Sequence, residues 1–526
     1  MHIEGGGFDM TGGMICSNAV TADDGVGAGV YIDGGSLELN EGSISENKSE
    51  SHGGGAYVAG GGNFTMSGGE MNRNNASGNG GGVFLDGGDF EVSDGIISAN
   101  ISKAGGGGAY IAGGGNFTMS GGSMSGNYTE SNGGGAFLDS GELKVTDGSI
   151  NDNEADLNGG GICILNGVVD MGSGLITSNV CGQYGGGVYV YNSSDSVGKT
   201  VTFNGGSVTE NEAEYGGGVC VDGLITLSIG SVEIAENTAV NGGGVCLLNK
   251  ADIEFGKGQI KNNNAKVKTG TPIFQTAWQK EIDDVAGLGG GLYLSSGTVL
   301  TFTDIDELGL FGNIADRGGD EIFANGKDTK VTLPVVTDMN LAGYPGASNL
   351  RWMEDYVTDD INYDKGTKMK GTDWDSDKSN KRYRVANGAN EATFEVNGGV
   401  TLTNYVSLAL GYEIIYITIV KYGLEKGESA IFELSKGGVL QSRVIMTGEE
   451  GKDAITKRVA VTAGEWTIVE NVWSWAYTAD YTSLTKDVTS ADSRVFEYRN
   501  QRKDDSALPM NHEDVKLNVM GTANSE

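Results

Sequence analysis

Few residues that ordinarily carry chemistry stand where chemistry could use them. His2, His52 and His512 are the only histidines. No two share the spacing of a metal-binding pair, so neither a zinc site nor a histidine-dependent catalytic centre is expected. The five cysteines are Cys16, Cys163, Cys181, Cys220 and Cys246, all before residue 250. An odd count argues against a pure disulfide framework. Acidic runs such as SENKSES, NDNEADLN and TENEAEY fall in the turn before a glycine triplet, so the acids repeat along the chain instead of converging. They read as solvated turns, with weak cation binding as the second reading. Glycoside hydrolysis needs a pair of facing acids, and uronate lyases need Arg or Lys near an acid cluster. Arg73 is the only arginine before Arg317. The glycine triplets lack the following helix and lysine of a phosphate-binding loop. No catalytic residue, metal or cofactor is expected. The alternative is a β-helix carbohydrate-active enzyme, a polysaccharide lyase or hydrolase, whose mark would be a cleft with converging carboxylates.

The elements that carry these residues come from repetition. A motif of three glycines, a small or apolar residue and then Tyr, Phe or Cys ends its glycines at Gly55, Gly82, Gly108, Gly135, Gly161, Gly187, Gly218, Gly244 and Gly291, with a variant at Gly29. From Gly29 to Gly187 the step is 26 or 27 residues. A second motif, an apolar residue followed three positions later by Asn, keeps step with it. Its asparagines are Asn47, Asn74, Asn100, Asn127, Asn153, Asn179, Asn211, Asn237, Asn263 and Asn313. Between the two lie short alternating runs such as Phe64/Met66, Phe90/Val92 and Leu143/Val145. Alternation over four to six residues reads as a strand with one buried face. Three short strands cannot enclose a core alone, but stacked copies can. The prediction is an all-β chain opening with a right-handed parallel β-helix of about ten to eleven coils over residues 1–328, roughly 50 Å long at ~4.8 Å per coil.

Stacking predicts columns. The Tyr/Phe/Cys position gives Tyr31, Tyr57, Phe84, Tyr110, Phe137, Cys163, Tyr189, Cys220, Cys246 and Tyr293, read as an inward ladder in which cysteine acts as a small hydrophobe. Cys220 and Cys246 occupy successive coils and are close enough in principle to bridge. The asparagines should form a corner ladder in which the amide bonds neighbouring turns and the Asn backbone tolerates the left-handed conformation. Two insertions break the period, around Tyr191–Lys199 and at 267–286. Insertions in a solenoid form surface loops, often on a binding face, which makes Phe274 and Trp278 the binding candidates.

Composition agrees. Glycine is 91 of 526 residues, against a usual share of about 7 %, while Pro is only 4. The net charge of −35 repels nucleic acid and anionic lipid. No apolar run is long enough to span a bilayer. The opening MHIEGGGFDMTGG has neither the basic start nor the apolar stretch of an export signal and reads as sequence from within a repeat.

The segments GGGAYV, GGGVFL, ISEN and ITSN resemble the repeats of polymorphic outer-membrane proteins and autotransporter-type β-helices over about residues 1–328. The resemblance implies a secreted, surface-displayed rod, often adhesive. Residues 329–412 are read as a β-rich cap or linker covering the open end of the rod, since an uncovered coil exposes edge hydrogen bonds. Their clustered aspartates do not fit the calcium loop.

Residues 413–526 show strands at about ten-residue spacing and predict a β-sandwich. YEIIYITIVKYG and SRVFEYRN are similar to the Cna-B-type, prealbumin-like modules of bacterial surface proteins. That resemblance implies an intramolecular isopeptide crosslink, with Lys421 in ITIVKYG as nucleophile, Glu470 in WTIVEN as proton shuttle and Asn500 in FEYRN as acceptor. A buried lysine loses its charge and becomes nucleophilic. Trp466 stands where such modules usually have Tyr. The whole is expected to be an extracellular, secreted or cell-surface bacterial adhesin or structural rod. It would be monomeric and non-catalytic, and would bind a glycan or protein on a host or neighbouring cell.

Overall fold

The computed structural model describes residues 1–331 apart from 23–24, 193–198, 267–286, 296, 304–308, 317–319 and 325–328. Beyond them it describes the strands at 350–355, 383–385, 400–402 and 406–412 and most of residues 414–502. The described elements are all strands, with no helix among them. The chain divides into two compact units, Met1–Gly411 and Tyr412–Glu526.

The first unit is a parallel β-solenoid of about 11 turns. Each turn supplies a strand after the glycines (Ala56–Ala59 in one turn), a long strand (Asn63–Asn72) and a two-residue strand after the asparagine (Asn75–Ala76). Each pairs in parallel with its counterpart one turn on: Tyr57 with Phe84, Phe64 with Phe90, Asn75 with Ile101. In the early turns the apolar run and the segment leading to the asparagine form one ten-residue strand. From Val168 onward they separate into two, Val168–Met171 and Leu175–Thr177. The interior is filled by columns: Ala56, Val58, Phe64, Met66 and Met71 of a single turn are all fully buried. Each large apolar side chain so buried contributes about 2 kcal/mol, and the rings of Phe64, Phe90 and Phe117 stack at 4.6 and 4.9 Å. At the far end Val400–Leu402 and Val406–Tyr412 run antiparallel along the last strands of the solenoid, Thr329–Val331 and Ile322–Ala324.

The glycine triplet and the asparagine recur together because they touch. In Gly53–Gly55 the first glycine turns the corner at φ +64°, where a Cβ is disfavoured. A Cβ on the second would lie 2.5 Å from the Gly81 carbonyl oxygen of the next turn, and one on the third 2.9 Å from Asn74 Nδ2. The asparagine needs that space because its side chain is fully used. Asn74 Nδ2 donates to Ile44 O at 2.9 Å and to Asn100 Oδ1 at 3.0 Å. Asn74 Oδ1 accepts from Asn47 N at 3.1 Å and Asn47 Nδ2 at 2.9 Å. The same pattern runs from Asn47 to Asn263 and ends at Asn313. It begins one rung earlier than the repeat suggested, at Asn18, which donates to Asn47 Oδ1 at 2.7 Å.

Two details of the columns differ from expectation. The left-handed backbone belongs to the residue before each asparagine, as at Ser17, Glu46, Arg73, Ala99, Asp152, Ser178, Glu210, Glu236 and Asn262, with φ between 53° and 59°. The asparagine itself must keep a backbone that aims its amide along the column. The Tyr/Phe/Cys column also lies on the sheet face opposite the central interior, because Ala56 and Val58 on either side of Tyr57 are wholly buried and strand neighbours alternate faces; Tyr57 is half-buried there, whereas from Phe137 onward the column is buried in an apolar cluster of its own.

Candidate functional site

The second unit brings two of the three crosslink residues together. Its described strands form two four-stranded sheets. In one, Ile414–Tyr422 lies between antiparallel Ala454–Thr462 and parallel Val495–Arg502. In the other, Ser429–Lys436 lies between Val439–Thr447 and Glu465–Asn471, which in turn pairs with Ser483–Asp487. Alternation fixes what points inward. Ile417 and Ile419 are fully buried, and Lys421 continues their face; Trp466 and Ile468 are buried, and Glu470 continues theirs. The two charged residues are thus carried into the core by strands that are otherwise apolar on that side.

They meet there. Lys421 Nζ lies 2.8 Å from Glu470 Oε1 and 3.0 Å from Oε2, with the lysine side chain 0 % and the glutamate side chain 1 % exposed. Stripping two such charges of water costs several kcal/mol each, and only close pairing offsets it. The surroundings are aromatic. Phe432 is in register with Glu470 and Tyr498 with Lys421, and the Phe432 and Tyr498 rings are 4.9 Å apart. Tyr498 is fully buried, and its hydroxyl donates to Ile468 O at 2.6 Å. Burial, helped by the Glu470 carboxylate, pushes the Tyr498 phenol well above its ordinary value, so it stays a neutral donor. Tyr498 escaped the sequence reading, although Phe496 and Tyr498 stand two apart on an apolar alternation that would have placed it inside. Asn500 lies two positions beyond Tyr498 on the same strand, paired with Ala479; its side chain lies outside the described residues.

Chemically, this is a lysine amine held against a carboxyl group where water is excluded. The glutamate can accept a proton from the ammonium and so leave a neutral amine, which is a nucleophile.

The other candidates sit on the solenoid. Phe274 and Trp278 lie outside the described residues. The outward aromatic column is described, and its rings lie face to face: Tyr57–Phe84, Phe84–Tyr110 and Tyr110–Phe137 are 5.1, 5.1 and 4.9 Å apart with interplanar angles of 9°, 5° and 3°. The ring faces are used by the neighbours in the stack and Phe84 and Phe137 are buried, which leaves the edges of half-buried Tyr57 and Tyr110 for other partners. Tyr57 donates to Asp86 Oδ2 at 2.7 Å and Tyr189 to Asp222 Oδ2 at 3.3 Å. Further along, Tyr189 stands between Cys163 and Cys220. These small residues leave room beside it for Tyr184 and Tyr191, which stack on it at 5.5 and 5.2 Å. Among the described residues no group of three or more His, Cys, Asp or Glu side chains is placed to hold a metal ion, and no helix is long and apolar enough to cross a membrane. No protein-family model matches the chain, and no curated protein and no solved structure matches it.

Proposed function

We propose that the chain is a non-catalytic, extracellular surface rod of adhesin type, in which the solenoid displays a repeating binding surface and the sandwich is a module locked by its own crosslink. The observation that carries the rod reading is the filled interior. Apolar columns and the asparagine ladder occupy it, so recognition falls to the outer faces, where side chains recur turn by turn. A glycan or protein repeated along another cell's surface suits such a face. The purified chain should bind members of an array of cell-surface glycans and proteins without altering them. Depolymerisation of any polysaccharide on incubation, above all an acidic one, would replace this reading by the enzyme alternative.

The lock is supported by the buried Lys421–Glu470 contact. In the reaction the Lys421 amine attacks the Asn500 carboxamide carbon, a new amide forms, and the displaced nitrogen leaves as ammonia after taking up a proton relayed by Glu470. Intact-mass measurement should find the chain lighter by one ammonia. The full mass in the wild type, equal to that of Lys421→Ala once the substitution is allowed for, would reject the lock.

A further inference from the structure

Of the five cysteines only one pair is adjacent among the described residues. Cys220 and Cys246 are in direct register on neighbouring parallel strands, point to the same face, and are both fully buried. Both belong to one buried apolar cluster. Cys163 shares the column but is separated from Cys220 by Tyr189. Cys181 belongs to the strands that follow the asparagines, beside Ala155 and Ala213, with its Sγ on Tyr184 O at 3.2 Å. Cys16 is in register with Ser45.

We propose that Cys220 and Cys246 are a modification site: a disulfide that ties one turn of the solenoid to the next when the chain folds in the presence of an organic disulfide. Registered strands lie about 4.8 Å apart, inside the Cα separations that disulfides span. Cβ bonds that run parallel from registered positions bring the two sulfurs side by side. The chemistry is thiol–disulfide exchange. One cysteine thiolate attacks the external disulfide and expels a thiol. The second cysteine then attacks the mixed disulfide and expels the other thiol. The two cysteine protons leave with the expelled thiols, the external disulfide is reduced, and the chain loses two hydrogens.

Burial decides when this happens. Once the turn is closed, Tyr184, Tyr215 and Leu248 pack over the cluster that contains both sulfurs. Desolvation there raises the Cys220 thiol well above its ordinary value, so little thiolate exists to attack. The bond therefore forms during folding and is sealed afterwards. It closes a loop from residue 220 to residue 246, one full period of the repeat, so it prevents that turn from peeling away from its neighbour.

The test is to make the full chain in a reducing cytosol and in an oxidising compartment, then denature, alkylate without reductant, and map the peptides. From the oxidising compartment, one disulfide should join the peptides holding Cys220 and Cys246, with Cys16, Cys163 and Cys181 alkylated. That material should also melt at a higher temperature than the cytosolic product, a difference that vanishes in the Cys220→Ala/Cys246→Ala double variant. Five alkylated thiols from the oxidising compartment, or a bond joining any other pair, would overturn the proposal.

Discussion

The two units bury polar groups in opposite ways. The solenoid spreads most of its buried polarity over a column of neutral amides, each doing the same job as the last, with the buried acids Asp320 and Glu321 set beside its last described turn. The sandwich concentrates it in one ion pair enclosed by Phe432, Ile468 and Tyr498. A neutral amide with every donor and acceptor matched is stable wherever it is repeated. A buried charge pair is tolerated only while both partners remain, and well-packed apolar residues could often take its place. Polarity in the first unit looks architectural, whereas in the second it asks for a chemical reason.

That contrast can be broken from either side. Lys421→Met should have the largest effect: it strands the Glu470 carboxylate and should destabilise the sandwich by about 4 kcal/mol, read by urea denaturation. Lys421→Met with Glu470→Leu restores the charge balance but not the proposed crosslink, so it should recover only part of that loss; full recovery would mean the pair supplies no more than electrostatic balance. In the solenoid, Asn127→Ala removes bonds to Ile97 O and Asn153 Oδ1 and orphans the amides of Asn100. A loss of about 3 kcal/mol is expected, with equal losses at Asn100 and Asn153 if the rungs are equivalent. Unequal losses would show that the column is less uniform than its geometry.

Smaller effects sharpen the picture. Ala99 is exposed and sits at φ 53° in the corner before its asparagine. Ala99→Gly should relieve about 1 kcal/mol of strain, seen as a raised urea midpoint. The smallest effect is at His52, whose Nδ1 accepts the Asn79 backbone N–H at 3.0 Å and whose ring packs on Phe84. Burial holds this imidazole below the ordinary histidine value against an opposing pull from Asp86. The unfolded chain therefore takes up the proton first. The contribution is complete above the ordinary value of about 6.5 and is lost as pH falls from there through the folded value. Urea midpoints followed across that window should slope less for His52→Leu than for the wild type.

The coil architecture was legible because Gly55, Asn74 and their equivalents recur at a fixed step and each is indispensable to the other's space. The outward direction of the Tyr57 column was not, because Ala56, Tyr57 and Val58 are all apolar and alternation gives no sign of which face is inside. The left-handed corner leaves no compositional trace either: Ser17, Glu46, Arg73 and Ala99 share a conformation and nothing else. In the sandwich, Lys421 and Glu470 were found through resemblance, and their opposition across two sheets needed the fold. Tyr498 was missed because the motif around it drew notice to Asn500.

From one side-chain amide to the next, every described rung of the asparagine column donates in one direction, toward the later turn, while its second N–H returns to a carbonyl of the earlier turn. Such a column has a head and a tail, so a whole period can be inserted or removed with the remaining amides still matched, whereas a partial period cannot. Reach is therefore adjustable in steps of one turn without redesigning the interior, which turns gene duplication and deletion into a ruler for how far the molecule extends.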